Sequence, residues 1–302
     1  MKLLLTGAVS WSEEQKNSLR ELGNEILYIQ DERIPLKEQS IDTEKIEGAV
    51  CNGLFLYNNI EDFKSLKYIQ LTSAGFDRVP MDYIQKHQIE IHNARGVYSI
   101  PMAEFAVSGV LQLYKQSHFF YENQKNGKWE KHRYVKELYD KTICIAGCGN
   151  VGTECAKRFQ AFGCRVIGVD LYPRTDENYE EMISLEEFEN VLPESDVVVL
   201  TLPLTDETKH LMNEKKLNLL KKGAILVNIA RGAVLDTDAL IRVLPKLGGA
   251  VLDVFEEEPL SEDSLLWKCE NVIITPHNSF VGEGNRTRLQ KVILKNITRN
   301  SK

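Results

Sequence analysis

The sequence predicts an α/β protein built on parallel sheets, and three observations carry that expectation. Short apolar runs alternate with amphipathic stretches from the first residues onward. The alternation restarts after Asn126-Gly127 and passes through six more strand candidates. Between the first and second of those six, a glycine-rich hexad stands at the head of a helical pattern. Helices between successive strands act as crossovers, which make neighbouring strands parallel. Six strands joined in this way make a doubly wound sheet.

In chain order, Lys2–Thr6, Glu25–Ile29, Gly48–Cys51, 67–71 and 89–92 read as strands, while 12–22 and Met81–Lys86 read as helices. The helices are separated from the strands by the three-to-four spacing of their apolar positions. Residues 101–124 are expected to form one longer helix, because Met102, Phe105, Ala106, Val110, Leu113 and Tyr114 make a single wide apolar stripe. The second series of strands is Thr142–Ala146, 165–169, 197–202, 224–229, 250–254 and 272–275. An amphipathic helix over 283–298 closes the chain.

Composition narrows the class. Of 302 residues, 43 % are apolar and 27 % charged, which excludes fibrous and largely disordered proteins. At about 100–200 residues per domain, one large or two medium domains are expected, with little room for a regulatory module. The 44 acidic and 37 basic side chains give a net charge of −7, so neither nucleic acid nor an anionic membrane surface is an expected partner. No apolar stretch reaches the ~18–20 residues that span a bilayer. The opening nine residues turn polar too soon for a secretory signal and read as a strand entering a glycine turn. Cys51, Cys144, Cys148, Cys155, Cys164 and Cys269 show no metal-ligand spacing, so no metal is expected. They read as buried free thiols of a protein in the reducing cytoplasm.

Gly147-Cys148-Gly149-Asn150-Val151-Gly152 is a G-x-G-x-x-G placed directly after a strand and at the start of a helix. Gly147 permits the tight turn, Gly149 the close approach of a pyrophosphate, and Gly152 close packing of helix on strand. Amides at the helix N-terminus then offer an anion site. The next strand ends in Asp170, whose carboxylate suits the ribose hydroxyls of an adenosine and repels a 2′-phosphate. That spacing favours NAD over NADP. Arg174 is the dissenting residue, since it could bind a 2′-phosphate, lie beside the adenine or face solvent.

A dinucleotide site does not name a reaction. Arg231 stands just past the fourth strand of the second series, Asp253 to Glu258 just past the fifth, and His277 just past the sixth. In a parallel sheet those positions converge on the crevice that holds the cofactor. An Arg, an acid and a His suit hydride transfer at a hydroxy or keto acid. The guanidinium forks onto a carboxylate, the imidazole moves the hydroxyl proton, and the acid orients the imidazole.

Several motifs in sequence order sharpen this. They are Ser73-Ala74-Gly75-Phe76-Asp77, Asn93-Ala94-Arg95-Gly96-Val97-Tyr98, Met102-Ala103-Glu104, the 147–152 hexad, Leu202-Pro203-Leu204-Thr205, Ala230-Arg231-Gly232, the run from Asp253 to Pro259, and Thr275-Pro276-His277. With them the chain resembles the D-isomer-specific 2-hydroxyacid dehydrogenases, which include D-lactate, glycerate, hydroxypyruvate and 3-phosphoglycerate dehydrogenases. The resemblance implies two Rossmann-like parallel-sheet domains. A flavodoxin-like substrate domain would comprise residues 1–95 and 278–302, with a doubly wound NAD domain, 96–277, inserted in it.

The same resemblance implies roles for residues. His277 matches the acid/base, Glu258 the glutamate that hydrogen-bonds it, and Arg231 the arginine that holds the substrate carboxylate. Asp253 matches the aspartate that receives the nicotinamide carboxamide. Asn150 and Val151 would cap the pyrophosphate beside Gly147, Gly149 and Gly152, and Asp170 would accept from the ribose. Leu202, Pro203, Thr208 and Ala230 complete the expected cofactor positions. Ser73, Ala74 and Gly75 match the loop that offers amides to the substrate carboxylate. The expected reaction is NAD-dependent interconversion of a short 2-oxo acid and a D-2-hydroxy acid by a homodimer. An NADH-responsive, corepressor-like binding protein is the alternative. Glu256 and Glu257 flank Glu258, so the pairing with His277 stays open by one residue. Asn278-Ser279-Phe280 departs from the small apolar residue and glycine that many members carry after the His. The remaining histidines, His210 among them, have no motif context and read as packing or surface residues.

Overall fold

The structure, a computed structural model, describes the backbone of residues 1–300 and the side chains of residues 1–298. The chain splits into two compact units, one formed by Met1–Tyr98 with the chain from Gly282 onward, the other by Ser99–Val281.

The first unit holds a five-stranded sheet of β1 (Lys2–Thr6), β2 (Glu25–Ile29), β3 (Gly48–Cys51), β4 (Tyr68–Leu71) and β5 (Glu90–His92). All pairs are parallel, in the order β2-β1-β3-β4-β5, which is the flavodoxin-like order. Helices α1 (Glu13–Glu21), α2 (Leu54–Tyr57) and α3 (Met81–Lys86) are crossovers. A capping box starts α1: Gln15 N donates to Ser12 Oγ at 3.3 Å, and Ser12 N donates to Gln15 Oε1 at 2.8 Å. Both faces of the sheet are covered, which is why Leu3, Leu4 and Leu5 are consecutive and all fully buried. Leu19 of α1 and Leu289, Ile293 and Ile297 of the closing helix Asn285–Asn300 cover one face. Leu54 and Ile84 cover the other. The buried Gln70 of β4 accepts from Asn296 Nδ2 at 2.8 Å, fastening the closing helix to the sheet.

The second unit holds seven strands: β6 (Thr142–Ala146), β7 (Arg165–Asp170), β8 (Glu181–Ser184), β9 (Val197–Leu200), β10 (Ile225–Asn228), β11 (Gly249–Leu252) and β12 (Val272–Ile274). They run parallel in the order β12-β11-β10-β9-β6-β7-β8. Counted from β6, this is the 3-2-1-4-5-6 Rossmann order with one strand added beyond the sixth. Its helices are α4 (Ser99–Tyr114), α5 (Ser117–Lys125), α6 (Asn150–Ala161), α7 (Phe188–Val191), α8 (Glu214–Leu219) and α9 (Thr237–Val243).

Two expectations need correction. The sheet has a seventh strand, β8, because an edge strand with a polar sequence, Glu-Met-Ile-Ser, carries no apolar run. The helix expected over 101–124 is two helices, broken at Gln116, whose φ of 55° lies in the left-handed region. The two compact units divide in sequence at Tyr98/Ser99 and Val281/Gly282. Residues 278 and 279 stay with the second sheet because their amides donate to the buried Asp253 carboxylate, at 2.7 and 2.9 Å. Among the described residues no helix is long and apolar enough to cross a membrane. Nor, among them, is any cluster of His, Cys, Asp or Glu placed to hold a metal ion.

Candidate active site

Because every strand of the second sheet is parallel, all the loops after strand C-termini emerge at one edge. Read along that edge, His277 follows β12, Asp253 to Glu258 follow β11, and Arg231 follows β10. Leu202 and Pro203 then follow β9, the glycine hexad follows β6, and Asp170 ends β7. Neighbouring strands are about 4.8 Å apart, so the strand ends that lead to Arg231 and His277 are separated by roughly 10 Å.

The three hexad glycines do three different things. Gly147 takes φ 101°, a left-handed backbone that L side chains avoid, and so turns the chain out of β6. A Cβ on Gly152 would lie 2.0 Å from the Gly147 carbonyl oxygen, so α6 rests directly on the turn. At Gly149 a Cβ would meet nothing within 4 Å. Gly149 is also the N-cap of α6, and its side of the turn is the open one. Open space before the unpaired amides of a three-turn helix fits a pyrophosphate. Asn150 is exposed and Val151 half-buried at that end of the helix.

Asp170 and Arg174 grip one residue of the hexad from its two sides. Cys148 N donates to Asp170 Oδ2 at 2.7 Å, and Tyr172 N donates to Oδ1 at 3.1 Å. Arg174 Nη2 donates to the Cys148 carbonyl at 2.7 Å and pairs with Asp176 at 3.4 Å. Hydrogen bonds from Asn178 and then the Arg174 charge hold the Asp176 carboxyl below its usual range. Burial pushes the Cys148 thiol up to about 12, so it stays protonated under the turn.

At the other end of the edge, His277 Nδ1 lies 2.8 Å from Glu258 Oε2. The second oxygen, Oε1, accepts from Phe255 N at 3.1 Å, which bends Glu258 back onto its own loop. Glu256 does not reach His277; it pairs with His210. The His277 backbone has φ 51°, a strained position for a residue with a side chain, costing on the order of 1–3 kcal/mol. Asp253 holds it there. His277 N donates to the Asp253 carbonyl at 2.8 Å, while Thr275 Oγ1 and Asn278 N donate to Oδ1 at 2.6 and 2.7 Å and Ser279 N donates to Oδ2 at 2.9 Å. Asp253 is fully buried, and these bonds engage both of its oxygens. Phe280, from the departing tripeptide, sets its ring edge-to-face with the imidazole at 6.1 Å between centroids.

Arg231 is half-buried, and its Nη1 donates to the Ala230 carbonyl at 2.8 Å. The buried Asn228 shapes this turn, accepting from Ala230 N and donating to the Arg231 carbonyl, each at 3.1 Å. Leu202 is buried and Pro203 exposed, on a loop pinned by Thr208. The Thr208 hydroxyl donates to the Pro203 carbonyl at 2.7 Å and accepts from Thr205 N at 2.7 Å, with no exposed surface of its own. Ser73, Ala74 and Gly75 lie in the first unit, after β4. There Ala94 N donates to the Ser73 carbonyl at 2.8 Å and Asn93 Nδ2 to the Ala74 carbonyl at 2.5 Å. The pairing of His210 with Glu256 was not legible beforehand, because 46 residues separate them and neither sits in a motif that couples them.

Comparison with known proteins gives the family and the fold. Residues 107–279 match the NAD binding domain of the D-isomer specific 2-hydroxyacid dehydrogenases. A glyoxylate reductase of Pyrococcus horikoshii is 33 % identical over 95 % of this chain and 84 % of its own length. Among solved structures, a D-lactate dehydrogenase of Aquifex aeolicus complexed with NAD and lactic acid superposes with a TM-score of 0.76 at 28 % identity, covering 98 % of this chain and 94 % of that one. A D-isomer specific 2-hydroxyacid dehydrogenase of Xanthobacter autotrophicus in complex with NADPH gives 0.77 at 27 %, covering 99 % and 95 %. The chain belongs to the D-isomer specific 2-hydroxyacid dehydrogenase family and is an NAD(P)-dependent oxidoreductase acting on the CH–OH group of 2-hydroxy acids.

Proposed function

We propose that this enzyme uses NADH to reduce a short 2-oxo acid to the D-2-hydroxy acid and catalyses the reverse oxidation, with His277, Glu258 and Arg231 as its catalytic residues. The observation that carries the reading is the 2.8 Å pairing of His277 Nδ1 with Glu258, whose loop neighbours that of Arg231, at the same sheet edge as the hexad. With Nδ1 engaged, Nε2 is the nitrogen that exchanges the substrate proton. In reduction His277 gives that proton to the C2 oxygen, and in oxidation it takes it back, while Glu258 holds the ring and balances its charge. Arg231 forks onto the substrate carboxylate and polarises the C2 oxygen. The nicotinamide supplies the hydride to C2 or accepts it, so oxo acid, NADH and one proton balance against hydroxy acid and NAD.

The helix amides at Asn150 and Val151 would hold the pyrophosphate, and Asp170 the adenosine ribose. Leu202, Pro203 and Ala230 would border the cofactor between those points, and Asp253 would fix the His277 loop at the nicotinamide end. A preference for NAD over NADP is supported by Asp170, and by Arg174 being engaged with Cys148 and Asp176. The relatives point to glyoxylate as the first acid to try. NADH consumption with glyoxylate, pyruvate and hydroxypyruvate tests the reading, with NADPH run alongside. Turnover is expected with NADH, and His277→Ala should lower kcat by roughly 10²–10⁴-fold. Full turnover by that variant would sink the assignment of His277. Tight NADH binding with no turnover of any acid would favour the binding-protein reading.

The same reading makes the enzyme a cytoplasmic homodimer. Trp129, Tyr134 and Tyr139 are exposed on the segment between α5 and β6, and Phe120 and Tyr121 are exposed on α5, a concentration of apolar surface that a second copy would cover. A monomer in sedimentation equilibrium would remove the dimer. The six unpaired cysteines suit a reducing compartment, and recovery of the native protein from a secreted fraction would remove that location.

A further inference from the structure

We infer that His210 and Glu256 form a positioning pair that keeps the loop carrying Glu258 in register with the loop carrying Arg231. The inference rests on the reaction proposed above, but neither residue takes part in its chemistry. His210 Nε2 bonds to Glu256 Oε1, although the two come from loops after different strands, β9 and β11. An exposed ion pair by itself contributes little, and both side chains here are more than a third exposed. What distinguishes this pair is how the backbone on either side of it is tied.

His210 has φ 48°, a left-handed backbone that a residue with a side chain adopts only when its surroundings hold it. Its own amide donates to the Ala233 carbonyl at 2.7 Å, two residues from Arg231. Met212 N donates to the Val234 carbonyl at 3.0 Å, so 210–212 and 233–234 are laced together by main chain. On the far side, Gly232 presses on the catalytic loop. A Cβ there would lie 1.8 Å from Phe255 C and 2.4 Å from Glu256 N. Phe255 N in turn donates to Glu258 Oε1 at 3.1 Å, and Glu258 Oε2 meets His277. The links therefore run from His210 to Ala233, from Gly232 to Phe255, from Phe255 to Glu258 and from Glu258 to His277. The His210–Glu256 pair closes that circuit. Without it, the Arg231 loop and the Glu258 loop are left to slide at a glycine contact that has no side chain to lock it. Misplacing reacting groups by about an ångström costs up to roughly a hundredfold in rate.

The test uses the full chain with glyoxylate and NADH, measuring kcat and KM, the NADH Kd by tryptophan fluorescence, and thermal melting. His210→Ala and Glu256→Ala should each lower kcat/KM for glyoxylate by about tenfold or more. The NADH Kd should stay within about twofold of wild type, because the hexad and Asp170 lie at the other end of the edge. The double variant should be no worse than the poorer single variant. Glu256→Gln, which keeps an acceptor for the imidazole N–H, should recover part of the loss. Wild-type kcat/KM in folded single variants, additive losses, or a parallel loss of NADH binding would each overturn the pair. If His277→Ala abolishes turnover while these variants retain it, the inference fails and the reaction stands. If the wild type turns over no acid, both fail.

Discussion

The two sheets solve one problem in opposite ways. Each is parallel, each gathers its loops at the strand C-termini, and in each a carboxylate placed at or after the second strand reaches amides of a neighbouring turn. In the second unit Asp170 stays partly exposed and takes one amide of the hexad, that of Cys148, leaving the N-terminus of α6 open. In the first unit Glu32 is nearly buried, at 9 % exposure. It accepts from Asn52 N at 3.1 Å, Gly53 N at 2.5 Å and the Thr6 hydroxyl at 2.7 Å, so the strand ends of β1 and β3 are closed by the protein's own acid. The turn after β1 is shut as well, since a Cβ on Gly7 would lie 1.9 Å from the Gln30 carbonyl oxygen. Shared topology supplies the edge; one carboxylate more deeply inserted decides whether that edge can receive an anion. The inference for function is that the dinucleotide belongs to the second sheet.

The largest effect that could break this comparison is on Glu32. Glu32→Ala would leave the buried Gly53 amide, the half-buried Asn52 amide and the Thr6 hydroxyl without this acceptor, at about 1–3 kcal/mol for each group that water does not reach. A loss of roughly 2–4 kcal/mol is expected in the urea transition of the first unit, with the NADH Kd unchanged. A variant with wild-type stability would show that the Glu32 cluster closes nothing. A variant that binds NADH more weakly would mean that the two edges are not independent.

The contrast between the units also marks how far sequence patterns reach. Apolar runs located β6, β7 and β9–β11 because strands buried on both faces read as continuous Val, Ile and Leu; of the two edge strands, β12 keeps a Val-Ile-Ile run and was located, whereas β8 reads Glu-Met-Ile-Ser and escaped. The end of α4 escaped for a different reason. Lys115-Gln116-Ser117 contains neither Gly nor Pro, so nothing in the letters announces a left-handed Gln116. Arg231, Glu258 and His277 stood out because ordered motifs surround them. Which of three consecutive glutamates meets His277 was undecidable from spacing, and the fold resolves it by turning Glu256 to His210 and Glu258 to His277. Glu32, Asn52 and Thr6 belong to no motif, so their closure of the first edge is visible only when β1 and β3 are side by side. Long-range polar contacts of this kind are set by topology, and no window along the chain contains them.

A smaller and cleaner effect sharpens the same comparison from the other sheet. A methyl group at Gly149 would project into the space before α6 without touching the protein. Gly149→Ala should therefore melt within a degree or so of wild type, since surface changes away from packed or strained sites cost little, about ±0.5 kcal/mol. If the pyrophosphate sits against that turn, the same methyl must displace it, and NADH affinity should fall by roughly ten- to a hundredfold, the range of one to two methylene-sized misfits. Glu32→Ala and Gly149→Ala would then be mirror images, one losing stability without cofactor and the other losing cofactor without stability. An unchanged NADH Kd in a folded Gly149→Ala chain would move the dinucleotide away from the hexad and with it the assignment of Asp170 to the ribose.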